Sequence, residues 1–264
     1  MGKLRYEGVE VAEGVFRFSD GHVNWYVIDD GGRLTVVDGG IHSHWQNLNR
    51  WLLRTRRSLS DIEAVLLTHG HADHMGIVRR VSDGADAPVH LHRGDEALAM
   101  GEGLHKLPKR MIRNMPHPHV AALTMRWMLG GVPRTQPVVV GKFFDHEDTL
   151  DVPGRPRVFH TPGHTAGSSC LLLTDRNVLV TGDALVTLDI VTGEEGMGIM
   201  PGALNDDPRQ ALDSLSTLTG VAADTILPGH GNPHRGALSS ALVTARRSGV
   251  DWRPVPADAH GHTH

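Results

Sequence analysis

The sequence predicts a mixed α/β fold on three observations. Short apolar or alternating runs closed by glycine pairs indicate strands at 15–18, 25–28 and 34–37. Apolar residues at helical spacing then follow a Ser-x-x-Gln pattern, which is typical of a capping box. Further along, strand-like runs alternate with helix-like stretches, as expected where helices pack against sheets.

In the first half, a helix is expected over 45–57, because Ser43-His-Trp-Gln46 has the capping-box pattern and apolar residues recur on one side. The pattern recurs in Ser60-Asp-Ile-Glu63, directly before the apolar run 64–67, which we interpret as a fully buried strand. The next expected elements are a helix, a strand and a short helix, over 75–81, 89–92 and 95–100.

The chain changes character between residues 101 and 137, where Met, Arg and Pro are frequent. We expect this segment to be an inserted cap with one amphipathic helix near 120–129. Strands are then expected at 138–141, 157–159, 169–173, 178–180 and 225–227. A single domain spanning 1–264 is completed by a Gly-rich loop at 192–202, helices over 208–218 and 237–247, and a loose tail at 251–264.

The composition argues against several classes of partner. The formal net charge is −4, so no basic face for nucleic acid is indicated. No stretch approaches the length of an apolar membrane span, and the N-terminus lacks a signal-peptide pattern, so we expect a cytoplasmic protein without a membrane partner. The single cysteine, Cys170, agrees with a reducing compartment, because it cannot form an internal disulfide.

Histidine is over-represented, with 19 residues against two tyrosines. The stretch LLTHGHADHMG, residues 66–76, contains His69, His71, Asp73 and His74. If a strand ends just before this group, the first two histidines are two residues apart and can point to one side. Imidazole and carboxylate are zinc ligands, so four such groups in one loop can contribute to two adjacent ions.

The remaining ligands are expected where other strands end. Thr161-Pro-Gly-His164, Thr181-Gly-Asp183 and Pro228-Gly-His230 each follow an apolar strand. In each case a glycine allows the sharp backbone turn that projects the ligand over the strand ends. The residues themselves therefore predict a metal site.

With these motifs, the chain resembles the metallo-β-lactamase fold superfamily, specifically its dinuclear hydrolases of the glyoxalase II and lactonase type. The resemblance covers nearly the whole chain, from Val23-Asn-Trp-Tyr26 and Val37-Asp-Gly39 to Pro228-Gly-His-Gly231. It implies a four-layer αββα sandwich of two mixed β-sheets flanked by helices, with the metal site at one edge. It also implies two Zn²⁺ ions, or alternatively Fe or Mn ions. By this resemblance one ion is bound by His69, His71 and His164, and the other ion is bound by Asp73, His74 and His230. Asp183 is the implied bridge between the two ions.

The expected function is the metal-dependent hydrolysis of a small ester, thioester or lactone. Metal coordination lowers the pKa of water to about 7, so a metal-bridging hydroxide is available as the nucleophile at neutral pH. Asp73 is the expected catalytic residue, which orients the hydroxide or passes a proton toward the leaving group. The methionines and Trp127 of the cap, with the loop 192–205, are expected to line a pocket for the apolar part of a small-molecule substrate.

The chain departs from each of the subtypes that it resembles. Only about 34 residues follow His230, whereas glyoxalase II enzymes carry a long C-terminal extension. No tyrosine follows Tyr26, whereas the lactonases use one near the bridging aspartate. True β-lactamases have Cys or Ser where Asp183 stands, so antibiotic hydrolysis is not expected.

Three alternatives remain open. One is a mononuclear iron enzyme similar to persulfide dioxygenases, in which His164 and Asp183 would serve together with His69 or His71. Another is a phosphodiesterase or nuclease of the same fold, although the acidic balance gives such a substrate little electrostatic help. The third is a non-catalytic zinc-binding or scaffold protein.

Several other polar residues have weaker predicted roles. Asp38 either holds a ligand histidine, as the resemblance implies, or forms a simple turn before two glycines. His22, His42 and His44 are interpreted as surface-loop residues. The cap histidines, His117 and His119, are candidate substrate contacts, and no function is predicted for the tail histidines, His260, His262 and His264.

Overall fold

The computed structural model describes residues 8–102 and 118–250. Its first sheet has seven strands in chain order: β1 Val9–Ala12, β2 Val15–Ser19, β3 Asn24–Asp30, β4 Arg33–Val37, β5 Ile62–Leu66, β6 Val89–His92 and β7 Lys142–Phe144. Strands β1 to β4 are antiparallel neighbours, and β4 to β7 are parallel. Gly31 and Gly32 make the tight turn between β3 and β4, and both have the positive φ that two-residue hairpin loops favour.

The second half of the chain forms seven further strands: β8 Arg157–His160, β9 Ser169–Leu173, β10 Val178–Gly182, β11 Val186–Leu188, β12 Glu195–Gly198, β13 Thr225–Pro228 and β14 His234–Arg235. Five of them form the second sheet, in the order β14-β13-β10-β9-β8, and β11 pairs with β12 separately. Strand β10 is parallel to β13 and antiparallel to β9, which is antiparallel to β8. Strands β8, β10 and β13 therefore run in the same direction and end at one edge.

Six α-helices occur in the described residues: α1 Trp45–Arg54, α2 Val78–Ala85, α3 Glu96–Ala99, α4 Pro118–Gly130, α5 Pro208–Ser214 and α6 Leu238–Ser248. Helices α1 and α2 pack on the outer face of the first sheet, and α5 and α6 on the outer face of the second. None of these helices is both long and apolar enough to cross a membrane.

The alternation of side chains along β3 separates the layers of the core. Trp25 and Val27 face the helical layer, whereas Tyr26 and Ile28 face the second sheet, where they join residues such as Leu171. All of these side chains are at most 1% exposed, and burying an apolar side chain of this size contributes about 1.5–3 kcal/mol. The predicted four-layer αββα sandwich is confirmed.

Some element boundaries differ from the predictions. The predicted strand 138–141 is wrong, because the edge strand is Lys142–Phe144, which is fixed by parallel pairing with β6. The capping box assigned to Ser60 belongs to Ser58 and Asp61 around a 3-10 turn, and helix α1 has no side-chain cap from Ser43. The Gly-rich loop 192–202 contains a strand, β12, and the helix predicted over 75–81 begins at Val78.

Several predictions fall on residues outside the described ranges. These are the tail 251–264 with its histidines, residues 103–117 of the cap, His117, and the side chain of His119. Helix α4 and the 3-10 turn Val132–Arg134 lie in the described part of the predicted cap. The assignment of one domain with a cap stays a prediction.

Candidate metal centre

The histidine-rich loop begins directly after β5, which is held between parallel neighbours β4 and β6. His69 and His74 are fully buried, and His71 and Asp73 are partly exposed. The His74 amide donates to the carbonyl of His71, which closes a turn that brings the later residues back toward the strand end. The segment before helix α2 thus gathers four polar side chains at the carboxyl edge of the first sheet.

Three loops of the second sheet reach the same place. His164 follows β8, Asp183 follows β10, and His230 follows β13, and each side chain is at most 3% exposed. The approach is close, since a Cβ atom built on Gly229 would lie 2.1 Å from Oδ1 of Asp183. Only a residue without a side chain fits at that position.

The structure brings all seven sequence-predicted ligands together. Their ligand atoms form three overlapping groups, and within each group these atoms lie within 4.8 Å of one another: His69, His71 and His164; His69, His74 and Asp183; Asp73, His74 and His230. The first and last of these are the two sets that the family resemblance implies. Each group takes two residues from the first sheet and one from the second.

Asp183 is the central residue of the cluster. Its Oδ2 atom lies 3.3 Å from Nε2 of His164 and 3.2 Å from Nε2 of His230. Its Oδ1 atom lies 3.5 Å from Nε2 of His74. One carboxylate therefore faces members of both outer groups, which is the position that a bridging ligand requires.

Four of the imidazoles have their Nδ1 atoms fixed from outside the cluster. His74 Nδ1 lies 3.1 Å from Asp38 Oδ2, and His230 Nδ1 donates to the main-chain oxygen of His22 at 2.6 Å. A second-layer partner of this kind fixes the tautomer and the ring orientation, so that Nε2 presents its lone pair to an ion.

The other two imidazoles are held by neutral side chains. His164 Nδ1 lies 3.1 Å from Asn205 Oδ1, and His69 Nδ1 lies 3.0 Å from the hydroxyl of Thr68. That hydroxyl donates to Asp38, so this carboxylate orients His69 indirectly and His74 directly. Of the two roles predicted for Asp38, the structure therefore supports holding a ligand histidine.

The donor set fits a divalent cation. Nε2 of His69 and Oδ1 of Asp183 are buried and have no hydrogen-bond partner among the described residues. His71 Nδ1 lies 2.9 Å from His164 Nε2, and His74 Nε2 lies 3.5 Å from His230 Nε2. Two lone-pair nitrogens that face each other repel unless a proton or a cation lies nearby, and nitrogen and carboxylate oxygen are the ligands that zinc and iron accept.

Burial keeps part of the cluster neutral. It lowers the pKa of His69 well below the ordinary value for histidine. Burial and the neighbouring His71 lower the pKa of His164 to about 3. Neutral imidazoles are the form that binds metal, so these rings need not lose a proton first.

In the other part of the cluster, nearby carboxylates raise the pKa values of His74 and His230. Burial opposes charge on His74, but Asp183, Asp73 and Asp38 outweigh it and raise its pKa to about 10. The pKa of His230 is raised because Asp183 and Asp73 likewise overcome burial. The carboxylates thus favour positive charge here, which a divalent cation supplies when it is bound.

Of the three histidines predicted at surface-loop positions, His22 and His42 are half-buried, and His44 differs from the prediction because it is buried. His44 is 2% exposed, and its Nδ1 accepts hydrogen bonds from Trp25 Nε1 and the Ile41 amide. His22 contributes its carbonyl to His230. Thr68 and Asn205 were missed as supporting residues, because only their three-dimensional contacts mark them.

A comparison with protein families matches residues 19–230 to the model described as the metallo-beta-lactamase superfamily. An uncharacterized protein of Mycobacterium leprae is 32% identical over 223 residues, which cover 79% of this chain and 86% of the relative. The probable metallo-hydrolase YflN of Bacillus subtilis is 28% identical over 196 residues, covering 66% of each chain. An atrochrysone carboxyl ACP thioesterase of Aspergillus fumigatus is 25% identical over 209 residues, which cover 79% of this chain but only 50% of that relative.

Solved structures agree on the fold. A metallo-beta-lactamase family protein of Thermus thermophilus superposes with a TM-score of 0.63 at 23% identity, covering 90% of this chain and 80% of that one. The protein TTHA1623, solved in a di-iron-bound form, superposes with a TM-score of 0.55 at 25% identity, covering 83% of this chain and 92% of that one.

Proposed function

The chain belongs to the metallo-beta-lactamase superfamily, and from that premise we propose that it is a dinuclear metal-dependent hydrolase of small esters, thioesters or lactones. One observation carries the proposal: seven donor side chains from two sheets converge in three overlapping groups, with four imidazoles fixed at their outer nitrogens. A non-catalytic scaffold has no need of so complete a donor set.

The residues divide naturally between two ions. We assign His69, His71 and His164 to one ion and Asp73, His74 and His230 to the other, with Asp183 between them. A bound pair of divalent ions supplies a nucleophilic hydroxide at neutral pH and polarises the attacked carbonyl. The overall reaction adds water across the acyl bond and releases a carboxylic acid with an alcohol or a thiol.

Asp73 is assigned the proton-transfer role. Its side chain is 13% exposed, which makes it the more open of the two carboxylates in the cluster, and its Oδ2 lies 3.6 Å from His230 Nε2. It can therefore contact both the site and solvent, as a residue that holds a proton for a leaving group must. Asp183 is 2% exposed at its side chain and is better suited to holding ions than to exchanging protons.

An apolar cluster fixes the cap helix beside the site. Val120 and Leu123 of helix α4 pack with Val186, Ile190 and Met200, and the half-buried Trp127 lies against them. This cluster adjoins the metal loops, because the Thr187 amide donates to the carbonyl of His230. These five side chains are at most 2% exposed, so the cluster is core packing that fixes the cap helix next to the metal loops, and the apolar substrate pocket expected at the cap stays a prediction.

The names of two relatives support a hydrolase that acts on acyl compounds. The Aspergillus protein is named as a thioesterase that acts on a carboxyl ACP, and the Bacillus protein as a probable metallo-hydrolase. This chain spans half the length of the Aspergillus relative, so the thioester class, and not that particular substrate, is what we carry over.

Zinc is the ion that we assign first, with iron or manganese as the alternatives. Histidine and carboxylate ligands accept all three, and the di-iron structure of TTHA1623 has the same fold. The two outer groups, each complete with three donors, favour two ions over a single iron. This also favours hydrolysis over an oxygen-dependent reaction.

The test is a substrate panel on protein of known metal content. Metal-free protein is reloaded with Zn²⁺, Fe²⁺ or Mn²⁺ and assayed on acyl thioesters, aryl esters, lactones and phosphodiesters, with oxygen consumption recorded in parallel. We expect turnover of one of the acyl classes that disappears on chelation and returns on reloading. Turnover confined to phosphodiesters, oxygen uptake with a persulfide, or full activity after complete chelation would each contradict the proposal.

A further inference from the structure

Asp95 is a buried carboxylate to which the proposed chemistry assigns no role. It occupies the N-cap position of α3, where an Asp side chain ordinarily accepts a hydrogen bond from its own helix. Asp95 makes no such capping bond, although it is fully buried. Its carboxylate is directed toward two other loops.

Three donors converge on this carboxylate. Oδ2 accepts from the Gly70 amide at 2.9 Å and from the Thr165 hydroxyl at 2.6 Å. Oδ1 accepts from the Gly167 amide at 2.6 Å. Hydrogen bonds to a charged acceptor are the strong class, and all three are removed from water.

These donors flank the proposed ligands of one ion. Gly70 lies between His69 and His71, and Thr165 directly follows His164. Asp95 therefore joins the loop of the first sheet that carries two ligands to the loop of the second sheet that carries the third.

The backbone at this junction is in close contact. A Cβ atom built on Gly167 would lie 2.7 Å from Cγ of Asp95, and one built on Gly70 would lie 2.7 Å from Cβ of Leu98. Neither position has room for a methyl group. The loops that contain Gly70 and Gly167 thus pack directly against the 3-10 turn Arg93–Asp95 and helix α3, which leaves them little room to move.

The other outer group is supported differently. His74 is held by Asp38, and His230 by the carbonyl of His22. None of the three bonds to Asp95 comes from Asp73, His74, His230 or a neighbour of these residues in the sequence. Asp95 therefore supports only the loops of the first outer group, whereas Asp38 contacts His74 directly and His69 through Thr68.

We propose that Asp95 is a positioning residue that clamps the His69/His71 loop to the His164 loop and selectively sets the affinity of that ion position. The inference rests on the proposed function, since it takes those histidines as ligands. The carboxylate matters because it only accepts: an Asn at this position would direct an N–H group at one of three donors.

The test compares D95N in two backgrounds that each retain one outer group. H230A breaks the second group, and H164A breaks the first. Zinc affinity is measured by competition with a chelator. Adding D95N to H230A should weaken Zn²⁺ binding by about 10- to 100-fold, as loss of an outer support commonly does. Adding it to H164A should weaken binding much less, because none of the three donors to Asp95 is adjacent in the sequence to Asp73, His74 or His230.

Two further variants separate positioning from general stability. T165V removes one of the three bonds and should give a smaller loss in the H230A background only. The matched control is D189N, because Asp189 is also a buried carboxylate that accepts from backbone amides, those of Val191 and Thr192. It should leave zinc affinity unchanged in both backgrounds.

Equal losses in the two backgrounds, or no loss with H230A, would overturn the clamp. If D95N shows no cooperative melting, the protein is not folded well enough for the test, and the same comparison of zinc affinities with T165V decides whether the clamp exists. If the wild-type protein binds Fe²⁺ or Mn²⁺ and no Zn²⁺, the same comparison is made with that ion. If it binds none of the three ions, the proposed function fails, and the clamp is judged by amide hydrogen exchange in the metal-free chain. There Gly70 and Gly167 should exchange at least about tenfold faster in D95N, and equal exchange rates would refute the clamp.

Discussion

The imidazole of His74 and the carboxylate of Asp38 form a buried pair with Nδ1 and Oδ2 3.1 Å apart. Asp38 has a φ of 59°, in the left-handed region, and directly follows strand β4. The same carboxylate accepts hydrogen bonds from the amide and the hydroxyl of Thr68. One residue at the end of one strand thus orients the first and last histidines of the metal loop.

We expect D38N to lower zinc affinity by about 10- to 100-fold, because the Asn amide group cannot accept from both Thr68 and His74. Asn tolerates the left-handed backbone, so the substitution tests the hydrogen bonds and not the conformation. The measurement is a zinc titration with a competing chelator. D86N is the matched control, because Asp86 also has a positive φ, 54°, and is exposed at the end of α2. A D38N protein with wild-type affinity would remove Asp38 from the site.

Asp73 should affect catalysis more than folding. We expect D73N to reduce kcat by about 10²- to 10⁴-fold at saturating metal, which is the range for loss of a proton-transfer group. The ion held by His69, His71 and His164 should remain, and metal analysis checks this. D83N, at an exposed ion pair with Arg79, should retain full activity. Unchanged kcat in D73N would assign proton transfer elsewhere.

Metal removal should lower thermal stability. A ligand present at a thousand times its Kd stabilises the folded state by about 4 kcal/mol, which for a chain of this size corresponds to a Tm difference of roughly 10 °C. We expect calorimetry to show a rise in Tm of this size when Zn²⁺ is added to metal-free protein. The double variant H164A/H230A, which lacks one donor of each outer group, should lose most of the rise. H146N, at an exposed histidine outside the groups, should keep it.

His44 should contribute to acid sensitivity. Burial lowers its pKa to about 4 from an ordinary value of 6.5, with Asp20 opposing the shift. Because the folded-state pKa is the lower one, the unfolded chain binds the proton first, so stability is present above pH 6.5 and is lost as the pH falls toward 4. The loss is on the order of 3 kcal/mol below pH 4. Protonation would also place an N–H group against the donors of Trp25 and Ile41.

H44N keeps an acceptor near the Nδ1 position but cannot titrate. Urea unfolding between pH 7 and pH 4.5 should therefore show a smaller loss of unfolding free energy in H44N than in wild type. The half-buried neighbour His42 provides the control, and H42N should follow the wild-type pH profile. Parallel profiles for H44N and wild type would show that His44 titrates normally.

Sequence patterns predicted the parts of the fold that local residues determine. The apolar run 64–67 indicated a buried strand, and the observed strand is Ile62–Leu66. The edge strand β7 was misplaced, because the valines at 138–140 suit a strand equally well and only pairing with β6 selects Lys142–Phe144. Strand β12, Glu195–Gly198, has two glycines in four residues, and its conformation comes from pairing with β11.

The donor residues of the site could be found in the sequence, because four of them cluster directly after a strand and the other three each follow a strand and a glycine. Their supports could not. Asn205 lies 41 positions from His164, and Asp95 lies 70 positions from Thr165. Nothing in the local pattern of either residue indicates its partner, since the contact exists only after the loops have folded against each other.

Each of the three donor groups draws two side chains from the first sheet and one from the second. A bound ion is therefore a cross-link between the halves of the sandwich, and neither half can retain it alone with a full set of donors. While an ion is bound, separation of the two halves must break its bonds to at least one donor. Hydrogen exchange in both sheets of this protein should therefore be slower in the metal-loaded state than in the metal-free state.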